Sequence, residues 1–374
     1  MSLGLYIHVP FCKTRCSFCA FYLQIHREDR ASSYLESLQR EIQLHTELNS
    51  LGGRLLDTVY FGGGTPTTLS CDQLAAILEQ VQQCFGLQEH AEVTLEAHPD
   101  TVTEKGLRSL FQAGFNRISF GVQSMDAAEL VKIGRRTSRH AASTAVQAAS
   151  SAGFVNINLD LIYGLPGQTM RSWLATLDVA LGLEPTHVSC YALTIEEGTR
   201  LHRDLHQGGS DGPDADLQNA MEDEAVRLLA AAGFERYEIS NYSRPGYACR
   251  HNQLYWRGDE YLGLGPSAQS YLDGCRFGII EDLLIYHRTL EFGNLPIQER
   301  ERLTREQCRR EAIVFGLRLI EGTDLGIVQE TMDRTWEQVL DRLIDQGLLE
   351  ERSGRVRMTE QGRRFADSIA VELL

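Results

Sequence analysis

Cys12, Cys16 and Cys19 stand near the start of the chain with the spacing CxxxCxxC, inside YIHVPFCKTRCSFCAFY. A closed metal site normally takes four protein ligands, and this one is a ligand short. Three thiolates on one short loop can hold three irons of a cubane cluster and leave the fourth open. An open iron can chelate a small molecule and pass it an electron. The competing reading is structural zinc, with His8 or His26 as fourth ligand. Zinc ribbons more often pair two distant knuckles, and the sequence holds no second CxxC, so the spacing favours the open cluster.

Other residues suited to chemistry follow at regular intervals. Gly62-Gly63-Gly64-Thr65-Pro66 comes straight after the β-rich run Asp57–Phe61. Three glycines let backbone pass close to a ligand, expose N–H groups and adopt positive φ. Alone they read equally well as a tight turn, since the pattern is neither GxGxxG nor GxxxxGK. Beside the cysteine loop they form a candidate cradle for the amino group of a bound amino acid. Glu96 in LEAHP can bind ribose hydroxyls or an ammonium, or make a rim salt bridge. FGVQS brings the amide of Gln123, KIGRRT the guanidinium of Arg135, and NLDLIYGLP the carboxylate of Asp160. Strand alternation puts Asn158, Asp160 and Ile162 on one face, where a carboxylate without a partner is costly. Each residue is ambiguous singly; together they gather around one mouth.

The elements that must position them alternate. Strands are expected at Leu5–Val9, Asp57–Phe61, Glu92–Ala97, Arg117–Gly121, Asn156–Ile162 and His187–Tyr191. Helices are expected at Tyr34–Leu48, Ser70–Cys84, Glu104–Ala113, Arg139–Ala152 and Arg171–Leu183. Ser70 with Gln73 makes a capping box, and Gly114 and Gly153 fall just past helix ends. Six strands alternating with helices predict an α/β fold with a parallel sheet. The notable residues lie at C-terminal strand ends, which suits a complete or partial (β/α) barrel better than a doubly wound sheet.

A Gly- and Asp-rich loop, Gln207–Asp216, leads to a helix Leu217–Ala232. The spans read as a barrel with its cluster loop over 1–235, a connector packed against the barrel mouth over 236–300, and a helical domain over 301–374. In the last, Arg305–Leu319, a segment near Gly322–Thr331, Trp336–Gln346, a hairpin Leu348–Met358 turning at Ser353-Gly354 and a helix from Thr359 spell a winged helix. Arg300–Leu374 carries 13 Arg, no Lys and 15 Asp plus Glu, which favours a protein-interaction or lid role over DNA readout. The 374 residues carry a net charge of −15, which argues against generic nucleic-acid or anionic-membrane binding. No apolar run is long enough to span a membrane, and MSLGLYIHV lacks the marks of a signal peptide. The nine cysteines are an odd number, six of them scattered, as in a reducing cytoplasm.

YIHVPFCKTRCSFCAFY, YFGGGTPTTL, FGVQS, IGRRT and DLIYGLPGQT together resemble the radical S-adenosylmethionine (SAM) proteins of the anaerobic coproporphyrinogen oxidase family. The resemblance covers nearly the whole chain. It implies a partial (β/α)6 TIM-type barrel with a C-terminal winged-helix-like domain, a [4Fe-4S] cluster on Cys12, Cys16 and Cys19, and SAM on the fourth iron. It also implies Tyr6 against the SAM site, Gly63, Gly64 and Thr65 at the methionine portion, and Glu96, Gln123, Arg135 and Asp160 completing the pocket.

Three branches compete. The coproporphyrinogen oxidase branch carries a further cysteine two residues after the triad, where this chain has Phe21, and a long arm before it, where this chain has eleven residues. A heme-degrading branch is normally longer. The heme chaperone branch carries HNxxYW and then YLGLG, here His251-Asn252-Gln253-Leu254-Tyr255-Trp256 and Tyr261–Gly265. Ala20 and Gln269 depart from that branch, which usually has Asp and His there. The resemblance implies a cytoplasmic protein that binds heme, with His251 as its candidate ligand, and passes it to heme-accepting proteins such as membrane-associated respiratory enzymes. The alternative is a radical enzyme modifying a tetrapyrrole; whether SAM is cleaved in function stays open.

Overall fold

A computed structural model describes residues 2–208, 212–331 and 334–374. Residues 209–211 of the expected Gln207–Asp216 loop, Met1, and residues 332–333 lie outside the described residues.

All six expected strands form: β1 (Leu3–Val9), β2 (Leu56–Gly63), β3 (Leu87–Ala97), β4 (Arg117–Gln123), β5 (Asn156–Tyr163) and β6 (His187–Ala192). They pair in sequence order, each parallel to the next. Their apolar residues are buried on both faces, as parallel strands under helices require. The covering helices are α1 (Glu28–Glu47), α2 (Cys71–Phe85), α3 (Glu104–Gln112), α4 (Ala127–Lys132), α5 (Arg139–Ala152) and α6 (Met170–Leu181). The Ser70–Gln73 capping box is present in full, and Gly114 and Gly153 both have φ near +110°. The short helix α4 has no counterpart in the sequence reading. Neither has α7 (Arg200–His206), which packs on the cysteine loop through Leu201 N–H to Ser17 O at 2.8 Å. Next comes α8 (Ala215–Ala231).

The span 236–300 is no connector. After β7 (Glu235–Arg236), β8 (Asn241–Ser243) adds antiparallel to β6 at one sheet edge. The helix α9 (Arg250–Arg257) then leads into β9 (Glu260–Leu264), a seventh parallel strand paired with β1 from Leu3↔Glu260 to Ile7↔Leu264. From there β10 (Gln269–Leu272), β11 (Cys275–Ile279) and, after α10 (Leu283–Glu291), β12 (Ile297–Arg302) continue the sheet antiparallel. The order is β12-β11-β10-β9-β1-β2-β3-β4-β5-β6-β8-β7, an open curl whose middle is the partial barrel. Gly263 makes this close approach feasible: a Cβ there would sit 2.2 Å from the carbonyl oxygen of Gln269.

The C-terminal part has its own core, including Ile313, Leu317, Trp336, Leu340, Leu349 and Met358. The wing strands Leu349–Arg352 and Arg355–Met358 turn at Ser353 and Gly354, both at positive φ, the signature of a type I′ hairpin. Arg364 to Asp223 at 2.5 Å ties this part to α8.

Candidate functional site

The C-terminal ends of the barrel strands open into one cavity of about 850 Å³, where a barrel of this kind places its site. Cys12, Cys16, Cys19, Gly63, Gly64, Thr65, Glu96, Gln123, Arg135 and Asp160 all line it. Tyr6 and His251 do not. Tyr6 lies one layer deeper, stacked against Tyr60 at 6.1 Å.

Each residue has a local cause for its place. The cysteine loop leaves β1, and its short strand Phe11–Cys12 pairs with Gln24–Ile25. Thr65 Oγ1 lies 3.3 Å from Cys12 Sγ. Gly64 N–H donates to Val9 O at 2.9 Å, and Thr65 N–H to Phe11 O at 2.7 Å. Those N–H groups are therefore spent on the cysteine loop rather than exposed, and an ammonium group seated here meets acceptors instead. Gly63 has φ +105°, and a Cβ would strike the His8 ring at 2.7 Å; at Gly64 it would lie 2.6 Å from Phe11 O. Only glycine lets the two loops approach this closely.

Gln123 ends β4 at φ +71°, beside a register shift between Gly121 and Gln123. A non-glycine residue in this region stores strain that collects at functional sites, and the bulge re-aims the side chain. Arg135 bridges the loops: one guanidinium nitrogen donates to Gly121 O and another approaches Cys16 Sγ at 3.5 Å. Its Nε is buried without a partner.

Two carboxyls face the cavity. Glu96 accepts from Tyr60 Oη at 2.8 Å; burial first, then the neighbouring Asp160, pushes its pKa up to about 7. Asp160 accepts from Ser119 Oγ and Asn158 Nδ2, each at 2.9 Å, while burial raises its pKa. Asn158 Oδ1 in turn faces His187 Nδ1 at 2.6 Å. The pair is pre-oriented for hydroxyls or a cation.

The three thiols fit an open cluster. They line one cavity closely enough to affect each other's ionisation, and burial pushes Cys12 up to about 11 and raises Cys19. Soft iron relieves that cost by taking the thiolate form. His8 is buried with Nε2 on Tyr22 O at 3.1 Å, so it does not complete a zinc site. When bound, a [4Fe-4S] cluster supplies an open iron that chelates SAM and an electron for its sulfonium.

His251 sits at the opposite end of the barrel. It is 1% exposed; Nδ1 meets Thr58 Oγ1 at 2.7 Å and Nε2 meets Tyr255 Oη at 2.8 Å. Glu92 from β3 caps the start of α9, accepting from the N–H groups of Arg250 and His251 at 3.0 and 3.1 Å. The HNxxYW helix thus plugs the barrel floor. Both imidazole nitrogens are hydrogen-bonded within this floor, and burial lowers the pKa to about 3, which keeps the ring neutral. Gln269 also lies away from the cavity, beside Gly278 on β11.

Ile162, on the face of Asp160, lines the cavity too, as do Tyr60, His98, Tyr191 and Glu196, which the sequence pattern did not single out. Tyr60 had a signal: period two places Thr58, Tyr60 and Gly62 on the barrel's inner face.

The fold and site define a radical SAM protein. A family model described as the Radical SAM superfamily matches residues 6–180, and one described as the HemN C-terminal domain matches 303–365. A Mycobacterium tuberculosis protein named heme chaperone HemW is 35% identical over 374 residues, covering 99% of this chain and 94% of its own. The Bacillus subtilis protein of the same name is 31% identical, covering 97% of each. The solved structure of Escherichia coli coproporphyrinogen III oxidase (HemN), described as a radical SAM enzyme, superposes with TM-score 0.87 at 24% identity, over all of this chain and 90% of that one; it shares the fold. The chain belongs to the HemW family of radical SAM proteins.

Proposed function

We infer that this chain is a heme chaperone, which binds heme and passes it to acceptor proteins while carrying a SAM-liganded [4Fe-4S] cluster. The observation that carries this is near full-length likeness to the HemW proteins at 31% to 37% identity. Phe21, in place of the oxidase branch's fourth cysteine, supports the same reading. Cys12, Cys16 and Cys19 ligate the cluster; Gly63, Gly64 and Thr65 hold the methionine end of SAM; Glu96, Gln123, Arg135 and Asp160 complete its pocket, with Tyr6 backing it through Tyr60. What supports these roles is that all of these residues except Tyr6 line one cavity. No helix among the described residues is long and apolar enough to cross a membrane. The protein works in the cytoplasm, and membrane-associated respiratory enzymes are its acceptors.

The test is heme transfer. Heme-loaded, anaerobically reconstituted protein should hand stoichiometric heme to an apo-cytochrome, followed by the acceptor's absorbance. Failure to bind heme, or retention of all of it, refutes the chaperone reading. A tetrapyrrole-modifying enzyme is the second reading, supported by the fully furnished SAM cavity. Coproporphyrinogen- or heme-dependent SAM cleavage with an altered tetrapyrrole would establish it instead.

A further inference from the structure

The barrel interior is polar beneath the cavity as well as at it. Strand alternation puts Ser119 of β4, Asn158 and Asp160 of β5, and His187 and Ser189 of β6 on the inner face. The ladders set Ser119 beside Asn158, Asn158 beside His187, and Asp160 beside Ser189. Asp160 lines the cavity; His187 does not. The imidazole of His187 lies deeper and is fully buried, with Asn158, also buried, between it and Asp160.

The hydrogen bonds across this layer run in one direction. Asn158 Nδ2 donates to Asp160 Oδ1 at 2.9 Å. Asn158 Oδ1 faces His187 Nδ1 at 2.6 Å, and His187 Nε2 faces Tyr237 Oη at 2.9 Å. Tyr237 Oη accepts from the Cys249 N–H at 3.3 Å, just before α9. An ionised Asp160 only accepts, so the amide nitrogen of Asn158 must face it and the amide oxygen must face the imidazole. That oxygen only accepts too, so Nδ1 carries the proton of His187. Burial, then nearby Arg117, lowers the pKa of His187 well below the usual imidazole range. The ring is therefore neutral, and Nε2 accepts from the Tyr237 hydroxyl. Asn158 also meets the hydroxyls of Ser119 and Ser189, at 2.8 and 3.1 Å, but a hydroxyl can donate or accept. Among these described partners, only His187 and Asp160 dictate which way the amide points.

We propose that His187 is a positioning residue for Asp160: its Nδ1–H locks the Asn158 amide in the orientation that donates to the carboxylate, and so fixes the acceptor that the cavity presents to SAM. Hydrogen bonds aligned in a dry interior reinforce one another, and an acceptor already oriented needs no ordering when the ligand arrives. The line continues past His187. Tyr237 is held at its far end, where its carbonyl accepts from the Ile320 N–H of the C-terminal part at 3.1 Å. Its hydroxyl joins the start of α9 to the Asp160 side of the cavity. The proposal rests on the reading of Asp160 as part of the SAM pocket and adds a residue that lies outside it.

The experiment measures SAM affinity by calorimetry on the anaerobically reconstituted full chain. The proteins are wild type, Asp160→Asn, His187→Leu, His187→Asn, His187→Gln and the double variant Asp160→Asn with His187→Leu. Circular dichroism and iron per chain confirm fold and cluster in each. In His187→Asn the amide nitrogen falls where Nδ1 lay and keeps the bond to Asn158. In His187→Gln the amide reaches the Nε2 position and keeps only the bond to Tyr237. Expected is about tenfold weaker binding in His187→Leu and His187→Gln, on the scale of one hydrogen bond to a charged group. Affinity in His187→Asn should stay within about threefold of wild type, and the double variant should bind no more weakly than Asp160→Asn alone. Equal affinities in His187→Asn and His187→Gln, or losses that add in the double variant, overturn the role of His187 and leave the SAM pocket standing. The first of these comparisons decides even where His187→Leu does not fold. Wild-type affinity in Asp160→Asn removes Asp160 from the pocket and His187 with it. No SAM binding by wild type refutes the SAM reading itself.

Discussion

The imidazole of His251 stacks on the ring of Tyr60, centroids 5.0 Å apart and planes at 25°. Tyr60 then donates its hydroxyl to Glu96 at 2.8 Å. One aromatic layer therefore separates the plugged floor of the barrel from the carboxyl at its mouth. The HNxxYW helix reaches the cavity through packing, by way of Tyr60.

Removing the hydroxyl from that layer tests it most directly. Tyr60→Phe keeps the stack and loses the donor. The lost bond lets the Glu96 pKa climb above its already raised value of about 7, so less of it is ionised at neutral pH. SAM affinity of the reconstituted protein should fall about fivefold to tenfold at pH 7, on the scale of one charge-assisted hydrogen bond. It should recover partly at pH 8.5, where Glu96 is ionised again. Calorimetry at the two pH values checks both statements.

The contact between the glycine loop and the cysteine loop should be equally unforgiving. Gly64→Ala sets a methyl 2.6 Å from a main-chain oxygen of Phe11, and backbone cannot yield as a flexible side chain does. The expected cost is about 1–3 kcal/mol of stability, together with reduced iron per chain after reconstitution, since the shifted loop carries Cys12.

Arg135→Lys should separate bridge from charge. A lysine ammonium keeps the positive charge but cannot reproduce the planar fork that spans Gly121 O and Cys16 Sγ. SAM affinity should drop about tenfold while iron content stays close to wild type. Equal losses in both would mean that Arg135 serves the cysteine loop alone.

Glu41 makes a pH prediction far from the site. It accepts from the Gly265 N–H at 2.8 Å and Tyr286 Oη at 2.7 Å, with its other oxygen unpartnered, and burial pushes its pKa up to about 7. The unfolded carboxyl ionises near pH 4.5 while the folded one keeps its proton to about 7, so the folded state binds more protons in that window. Stability from this group therefore falls as pH rises from about 4.5 to 7 and is level beyond. His45 and His98, held neutral with pKa values near 4, act in the opposite direction. They cancel in a comparison with Glu41→Gln. Urea unfolding of the apo forms should show wild type losing up to about 3 kcal/mol relative to Glu41→Gln across that window.

The six parallel strands and the pocket residues from Cys12 to Asp160 were legible because their signals are local: alternation, capping boxes and residues placed at strand ends. The seventh strand was not. Tyr261–Gly265 reads as part of a connector until β1 offers it a ladder, and that pairing spans more than 250 residues. Nor does periodicity say at which end of a barrel a helix docks. The motif around His251 gathers an imidazole with aromatics, a composition that serves a ligand site and a packed floor alike. Glu92, which fixes α9 there, lies in a strand whose alternation marks it inward, a clue only once the barrel exists.

His251→Ala should consequently behave as a packing mutation. The substitution empties a buried ring's volume beneath Tyr60 and strips the partners of Thr58 Oγ1 and Tyr255 Oη, each within 2.8 Å of the imidazole. Cavity and orphaned hydroxyls together predict a loss of about 2–4 kcal/mol. Tyr60 loses its lower support, so Glu96 is held less firmly and SAM affinity weakens modestly, about twofold to fivefold. Heme affinity and the Soret position should stay at wild-type values, because neither imidazole nitrogen can reach an iron without the floor opening. Denaturant unfolding, SAM calorimetry and hemin titration on the one variant give three readings. A lost Soret shift at unchanged stability would show that the floor opens to ligand and that the plug is a gate.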